Sequence, residues 1–446
     1  MSKMKQIIAI CLVLTMVAFL IGGCTQTQAP AGSSTPNASD PASTPTEEYK
    51  PVTITFWNGW SGTDGDVLID LVDEFNKTNP YKITINMDIN PEFMQKFAAT
   101  VAAGQGPDLI LGVNAFKFTY PNDLIDMNEA FEATSLNKED WVPSYLDSCS
   151  QDGKLYVVPF QVTGRYMYWN KDLFEAAGLD PNSPPTTYEQ WSEYASKITD
   201  SSKNIYGSGL AYNAVSTNLH ILQRMGGDFI SDDGNGGYKA NFEGNAGYAK
   251  FLNWFKGMVD KKDNPIETNT DGMMQAGQLG LSVSGAWLNA GMKNSGVNYG
   301  VAPLPYDAAG QMNPVTISGF SVTRFASDEA KLACFRFVEW WNKGFESTED
   351  TAVLRWSLEC GYPTYYIPLM NDERYLASDI LTAMTVDPSI DTKYMGPNSF
   401  PEGYLLSNEV INPMVEGVIM KGETPEQAMK EAQASAEKIL ESIASK

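Results

Sequence analysis

Histidine is almost missing from this chain: among 446 residues there is one, His220. A Ser-His-Asp or Cys-His triad would hang on that residue alone, and it falls in a stretch with helical spacing, where core or surface histidines are the common case. The same shortage deprives a zinc site of ligands. Cysteine is scarce too, five in all, and no pair stands at metal-type spacing. Cys11 and Cys24 belong to the N-terminal region. Cys149, Cys334 and Cys360 remain, an odd number that reads as small buried side chains rather than a disulfide framework, with one bridge among them left open. Positive charge is short, with 31 Lys and Arg against 54 acidic residues and a net charge of −23. Lys3 and Lys5 supply two of the positive charges, so the chain beyond its first residues carries −25. That sign argues against nucleic acid and anionic lipid surfaces as partners and weakly against an anionic ligand, although acidity also serves plain solubility. There is no Walker-type phosphate loop and no Gly-x-Gly-x-x-Gly. Asp232-Asp233-Gly234-Asn235-Gly236-Gly237 lacks the distal glutamate of a calcium loop and reads as a hairpin turn. No metal, cofactor or catalytic residue is expected.

What is present begins at the N-terminus. Lys3 and Lys5 precede an uncharged run from Ile7 to Ile21. The run is shorter than the about 20 apolar residues that a spanning helix needs and fits the core of a secretory signal peptide, residues 1–23. Ile21-Gly22-Gly23-Cys24 follows, an apolar residue, two small ones and a cysteine, which resembles a bacterial lipobox. A chance cysteine after an ordinary signal peptide is the competing reading. Core length, small residues and the following linker favour lipidation at Cys24, and two or more acyl chains anchor stably where one does not. Residues 24–50 are rich in Thr, Ser, Pro, Ala and Gln and cannot bury enough surface to fold. They read as a flexible tether reaching roughly 30 Å.

Residues 51–446 are long enough for two domains. Thr53 to Trp57 reads as a strand, followed by a Gly- and Asp-rich loop from Asn58 to Asp66. Val67, Leu68, Leu71, Val72 and Phe75 recur at helical spacing, and Asn79-Pro80 stops that helix. Ile83 to Ile89 alternates as a strand, Phe93, Phe97 and Val101 mark a helix face, and Asp108 to Val113 is a third strand. Strand, helix, strand, helix, strand predicts a parallel sheet with crossover helices. The pattern recurs after Gly153, with strands at Tyr156 to Phe160, Tyr166 to Trp169, Gly207 to Tyr212 and Leu279 to Val283. Thr424-Pro425-Glu426-Gln427 is a capping box, and its helix places Met429, Ala432, Ala436, Ile439, Leu440 and Ile443 on one face.

Ligands of open α/β sheets bind outside the carboxyl ends of strands, which directs attention to the loops at Asn58–Asp66, Asn114–Tyr120, Gln161–Arg165, Tyr212–Asn218 and Ser284–Asn289. Trp60, Trp287 and Tyr404 stand outside strong helical periodicity beside Gly, Ser or Pro. A lone aromatic is usually core. Trp287, in a Gly-flanked loop after a strand, balances core packing against a ligand anchor. A glycoside hydrolase would need two carboxylates at a cleft. With 54 acidic residues such a pair is not excluded, and nothing marks one.

The segments TITFWNGWSG, AAGQGPDLIL, KLYVVPFQVTGRYMYWNKDLFEAAGLD, GQLGLSVSGAWLN, ISGFSVTRFASDEAKLACFRFVEWW, ECGYPTYY and SFPEGYL are weak singly and specific in their order. Together they resemble the family 1 extracellular solute-binding proteins of ABC importers, the group that includes maltose-binding protein, over residues 52–443. The resemblance implies an α/β fold with the two-lobed periplasmic-binding-protein clamp, each lobe a sheet flanked by helices, with three inter-lobe crossings. Residues 51–162 and 319–361 would form one lobe, and 163–318 with 362–446 the other. It implies that Asn58, Trp60, Ser61 and Asn114 contact ligand from the first lobe, with Thr163 and Arg165 at the hinge. Asn213, Ser216 and the stacking Trp287 would come from the second, and Gly319, Phe320 and Tyr362 from the later crossings. Tyr404 would be a second aromatic platform, and there the chain departs from the Trp of maltose-binding protein. Asp108 reads as structural, ending a helix and starting a strand. The implied function is capture of a mono- or oligosaccharide for an ABC-importer permease by a monomer held outside the cytoplasmic membrane by its lipid. A polar non-sugar such as a glycerophosphodiester or polyamine on the same scaffold, or a cell-surface glycosidase or adhesin, are the alternatives.

Overall fold

In the computed structural model of the chain the described residues are 49–444, apart from 114–115, 228–229, 235–236, 306, 308–314 and 386–402. The expected signal peptide, Cys24, nearly all of the tether and Asn114 lie outside them. Strand β1, Val52–Asn58, buries Ile54, Phe56 and Asn58 on one face. Helix α1, Thr63–Thr78, returns across it and buries Leu68, Leu71, Val72 and Phe75. Asn79 ends that helix: its amide nitrogen Nδ2 donates to the Phe75 carbonyl at 2.8 Å, and its Oδ1 accepts from the Ile83 N–H at 2.9 Å. The chain is thereby turned into β2, Ile83–Ile89, which pairs parallel with β1 from Val52–Ile83 to Asn58–Ile89. Helix α2, Phe93–Ala102, leads to β3, Leu109–Val113. Asp108 is structural, as its position predicts: its carboxylate accepts from both the backbone N–H and the hydroxyl of Thr55 at 2.8 Å, which joins β1 to the start of β3.

Strand β4, Val158–Thr163, completes the first run and sits at the sheet edge. Two residues later, after Gly164 and Arg165, β5 begins at Tyr166 and runs to Asn170 in a different sheet. That second sheet also contains β6, Tyr206–Gly209, β7, Leu279–Ser284, and β8, Tyr299–Pro303, in the order β8-β5-β7-β6. The chain then returns as β9, Thr316–Val322, which inserts antiparallel between β3 and β4, so the first sheet reads β2-β1-β3-β9-β4. Strands Ile230–Asp232 and Tyr238–Ala240 pair antiparallel, as a hairpin there would require.

Two cores follow from the two sheets, and the molecule is a two-lobed clamp. In the first, Phe56, Phe75, Phe160 and Phe320 interlock with Phe337, Trp340, Trp341 and Trp356. Phe160 lies with its ring 4.8 Å from those of Trp341 and Trp356. Aromatic pairs of this kind contribute about 0.5–1.5 kcal/mol each beyond area burial. In the second, Met167, Trp169, Phe174, Trp191, Leu222 and Phe251 pack against the C-terminal helices. The last helix, Pro425–Ala444, opens with the expected reciprocal cap: Thr424 N–H donates to Gln427 Oε1 at 3.1 Å and Gln427 N–H donates to Thr424 Oγ1 at 3.3 Å. Its Met429, Ala432, Ala436 and Ile439 are buried.

The third passage between lobes is gradual. Expected in the second lobe from 362, the segment first stays with the first: the Tyr365 hydroxyl donates to Asn342 at 2.9 Å and that of Tyr366 to Asp140 at 3.3 Å. Helix Asp379–Met384 then lies against β8. Cys149, Cys334 and Cys360 are all buried free thiols.

Candidate ligand-binding site

The passages between sheets place a set of polar and aromatic side chains at the junction of the lobes. Arg165 stands two residues beyond the end of β4 and is 8% exposed. Its guanidinium carbon stands 4.5 Å from the ring centre of Trp287, and its Nη1 donates to the Gly164 carbonyl at 3.1 Å. Burial pushes its pKa down to about 10, opposed by the neighbouring Tyr166, Asp271, Tyr362 and Tyr168, so it keeps its charge at neutral pH.

Trp287 follows β7 in the turn Gly285–Asn289. It is 40% exposed, an unusual state for the largest side chain of a folded protein. Its indole N–H donates to Asp271 Oδ2 at 3.0 Å. A Cβ on Gly285 would fall 2.0 Å from its ring, so only glycine lets the indole lie down there. Arg165 lies over the ring and Asp271 holds its edge, so the indole is braced while 40% of its surface stays open, and a ring can stack there.

On the first-lobe side the Tyr362 hydroxyl donates to Asp64 Oδ2 at 2.6 Å. Tyr362 stacks on Trp356 with ring centres 5.7 Å apart and planes 10° apart. Burial drives the Tyr362 hydroxyl far above its ordinary pKa, and the Asp64 charge adds to this. Burial likewise raises Asp64, against the lowering effect of the Tyr362 hydrogen bond. Asp64 sits in the first turn of α1. Gln161 ties the set to the hinge: its Oε1 accepts from the Trp356 indole at 3.2 Å and its Nε2 donates to Thr163 Oγ1 at 3.0 Å.

The structure therefore brings Thr163, Arg165, Trp287 and Tyr362 together. Asn58 is wholly buried; its Oδ1 accepts from the Trp60 N–H at 3.0 Å, and its Nδ2 has no partner among the described residues. Trp60 is partly buried edge-on against Phe160, and Ser61 is exposed in the same loop. Asn213 is exposed in the turn before helix Val215–Arg224, which starts with Ser216 in its first turn. Tyr404 belongs to helix Gly403–Leu406. The side chains of Ser216 and Tyr404, like all of Asn114, lie outside the described residues. Gly319 and Phe320 are elsewhere than the resemblance implied. Both are inside β9, where Phe320 is 0% exposed in the first core, and Gly319 occupies a bulge whose Cβ would meet the Val158 carbonyl at 2.3 Å. Their residue types are explained by packing. Sequence reasoning missed Asp64, Asp271 and Gln161. Asp64 lies in the loop singled out after β1, but one carboxylate among 54 carries no mark of its own.

Comparisons with known proteins agree with this architecture. A profile of the bacterial extracellular solute-binding proteins matches residues 70–355. The sn-glycerol-3-phosphate-binding periplasmic protein of Salmonella typhimurium is 26% identical over 415 residues, covering 85% of this chain and 90% of that one. The maltotriose-binding protein of Pyrococcus abyssi is 23% identical over 325 residues, 72% of this chain and 68% of its own. Among solved structures, the GacH receptor of Streptomyces glaucescens, described unliganded and with acarbose, superposes with a TM-score of 0.73 at 21% identity, covering 88% of this chain and 99% of that one.

Proposed function

As a member of the bacterial extracellular solute-binding proteins, the family to which this chain belongs, the protein, we propose, captures a mono- or oligosaccharide by closing its two lobes and passes it to an ABC-importer permease. The observation that carries this is Trp287, exposed, backed by Arg165 and held at its edge by Asp271. A sugar presents a C–H face to such a surface and hydroxyls to the carboxylate of Asp64. The likeness to a maltotriose-binding protein supports the choice. Binding by hinge closure requires no covalent step, and no catalysis is proposed.

A glycerophosphodiester or a glycerol phosphate is the second reading, favoured by the Salmonella relative and by Arg165. It is weaker here because a phosphate is normally gripped by several donors. At this junction the Arg165 guanidinium already faces Trp287 and is offset by the nearby Asp271, while Arg224, which also acts on Tyr166, is buried and donates to the Leu304 carbonyl at 2.8 Å. A thermal-shift screen decides between them, with neutral mono-, di- and trisaccharides in one arm and sn-glycerol 3-phosphate and glycerophosphocholine in the other. The carbohydrate reading expects the melt to rise with one related glycan set. Response to the phosphate esters alone would sink it.

For placement, we propose lipidation at Cys24 and a position on the outer face of the cytoplasmic membrane, the protein acting as a monomer. The N-terminal run, the small residues before Cys24 and the polar linker support this.

A further inference from the structure

The two halves of the junction are joined by one buried amide. Asn289, 0% exposed, is the second residue of helix Leu288–Ser295. Its Nδ2 donates to the Gly361 carbonyl at 2.8 Å and lies 3.4 Å from the Met384 sulfur. Its Oδ1 accepts from the Tyr168 hydroxyl at 3.0 Å, and the same hydroxyl stands 2.9 Å from the Gly285 carbonyl. Gly285 and Asn289 are the two ends of the turn that carries Trp287, and this turn is further closed by Leu288 N–H to the Gly285 carbonyl at 3.1 Å. Gly361 precedes Tyr362, whose hydroxyl reaches Asp64. A chain of contacts thus runs from the Trp287 turn through Asn289 to the crossing at 361 and on to the first-lobe carboxylate.

The fit is tight. Gly361 has a φ of +79°, and a Cβ there would stand 2.9 Å from Asn289 Cβ. Buried polar atoms of an amide have to stay paired. When the lobes move, the backbone at the crossing changes, and the Gly361 carbonyl cannot turn without drawing Asn289 along or breaking its bond. We propose that Asn289 is a positioning residue that couples the attitude of the Trp287 platform to the conformation of the 361 crossing, so that opening and closing of the lobes sets the platform's geometry. The proposal rests on the reading of Trp287 as a ligand platform, and its test uses no ligand.

The full chain is labelled with 5-fluorotryptophan, and the resonances of Trp287, Trp356 and Trp191 are assigned from single Trp→Phe variants. Two perturbations are then compared, Asn289→Ala and the gentler Tyr168→Phe, which keeps the ring and removes only the hydroxyl. Trp287 and Trp356 should both shift or broaden, although Trp356 lies on the far side of the crossing stacked on Tyr362. Trp191, whose indole bonds Ser208 in the second core, should not. If Asn289→Ala fails to fold, Tyr168→Phe decides alone. A Trp287 resonance that moves without Trp356 would mean a merely local role and overturn the coupling, as would no movement of either. A failed glycan screen would leave these resonances readable, and static resonances would leave the glycan reading standing.

Discussion

Replacing Trp287 by Ala tests the platform directly, and its size can be worked from the exposure. Trp287 leaves 40% of its surface open; a Trp side chain offers about 250 Å2 in all, so roughly 100 Å2 is available for a ring to cover. At about 25 cal/mol per Å2 the covered surface stabilises a complex by ~2.5 kcal/mol. Its loss is then roughly a 60-fold rise in Kd. Stability should fall less, because 40% of the side chain already lies in solvent, although the buried Arg165 loses the ring it lies over. Titration calorimetry with the glycan that responds in the thermal-shift screen measures the first quantity, and the melt of the unliganded variant measures the second. Trp287→Phe keeps most of the apolar face while losing the N–H, and should cost only about threefold. An affinity for Trp287→Ala within threefold of the parent, in a folded protein, would refute the platform. A collapse of the melt would show instead that the indole is structural.

Asp64→Asn is expected to weaken glycan binding by about tenfold or more, through loss of a charge-assisted acceptor. It should also change the pH profile of the melt: the folded pKa of Asp64 is raised by burial, so its contribution to stability is highest below the ordinary 3.8 and falls as pH climbs through the raised value. The variant should therefore gain on the parent as pH rises through that window, and parallel curves would contradict the assigned burial. Asp108→Ala should lower the urea midpoint, by about 2 kcal/mol of stability for two hydrogen bonds to a carboxylate, with glycan affinity unchanged. The three buried thiols should react with a disulfide reagent only after denaturation, since burial pushes Cys149 up to about 12; fast native reaction would show a more open core. Cys24→Ser should release the protein from membranes into the medium, measured by fractionation, and retention would point to an uncleaved anchor helix.

Much of the architecture was legible in the residues because it is written in local chemistry. The apolar periodicity of Val67 to Phe75, the stop at Asn79, the alternation of Ile83 to Ile89 and the cap at Thr424 each act over one or two turns of chain. The loops that hold Thr163, Arg165 and Trp287 were marked by their places after strands, whereas the crossing and the stacking role came from the family resemblance. Phe320 was not, since a Gly-Phe pair at the centre of a strand looks the same whether it lines a cleft or a core. Only β9, threaded between β3 and β4, decides that it packs on Phe56 and Phe337. The partners of Asp64, Gln161 and Asn289 were equally invisible. Asp64 meets Tyr362 across 298 positions of chain and Gln161 meets Trp356 across 195.

The sequence by itself determined which stretches form helices and strands, to within a few residues at their ends, which faces are apolar, and that nucleophilic or zinc chemistry has almost no histidine to use. Those are properties of neighbours along the chain. Tertiary structure alone decided which of the 54 acidic residues stands at the junction and what braces the indole of Trp287. It also decided through which buried amide the two lobes touch. Hydrogen bonds and desolvation act over a few ångströms, and which residues come within that range is settled when the sheets pack.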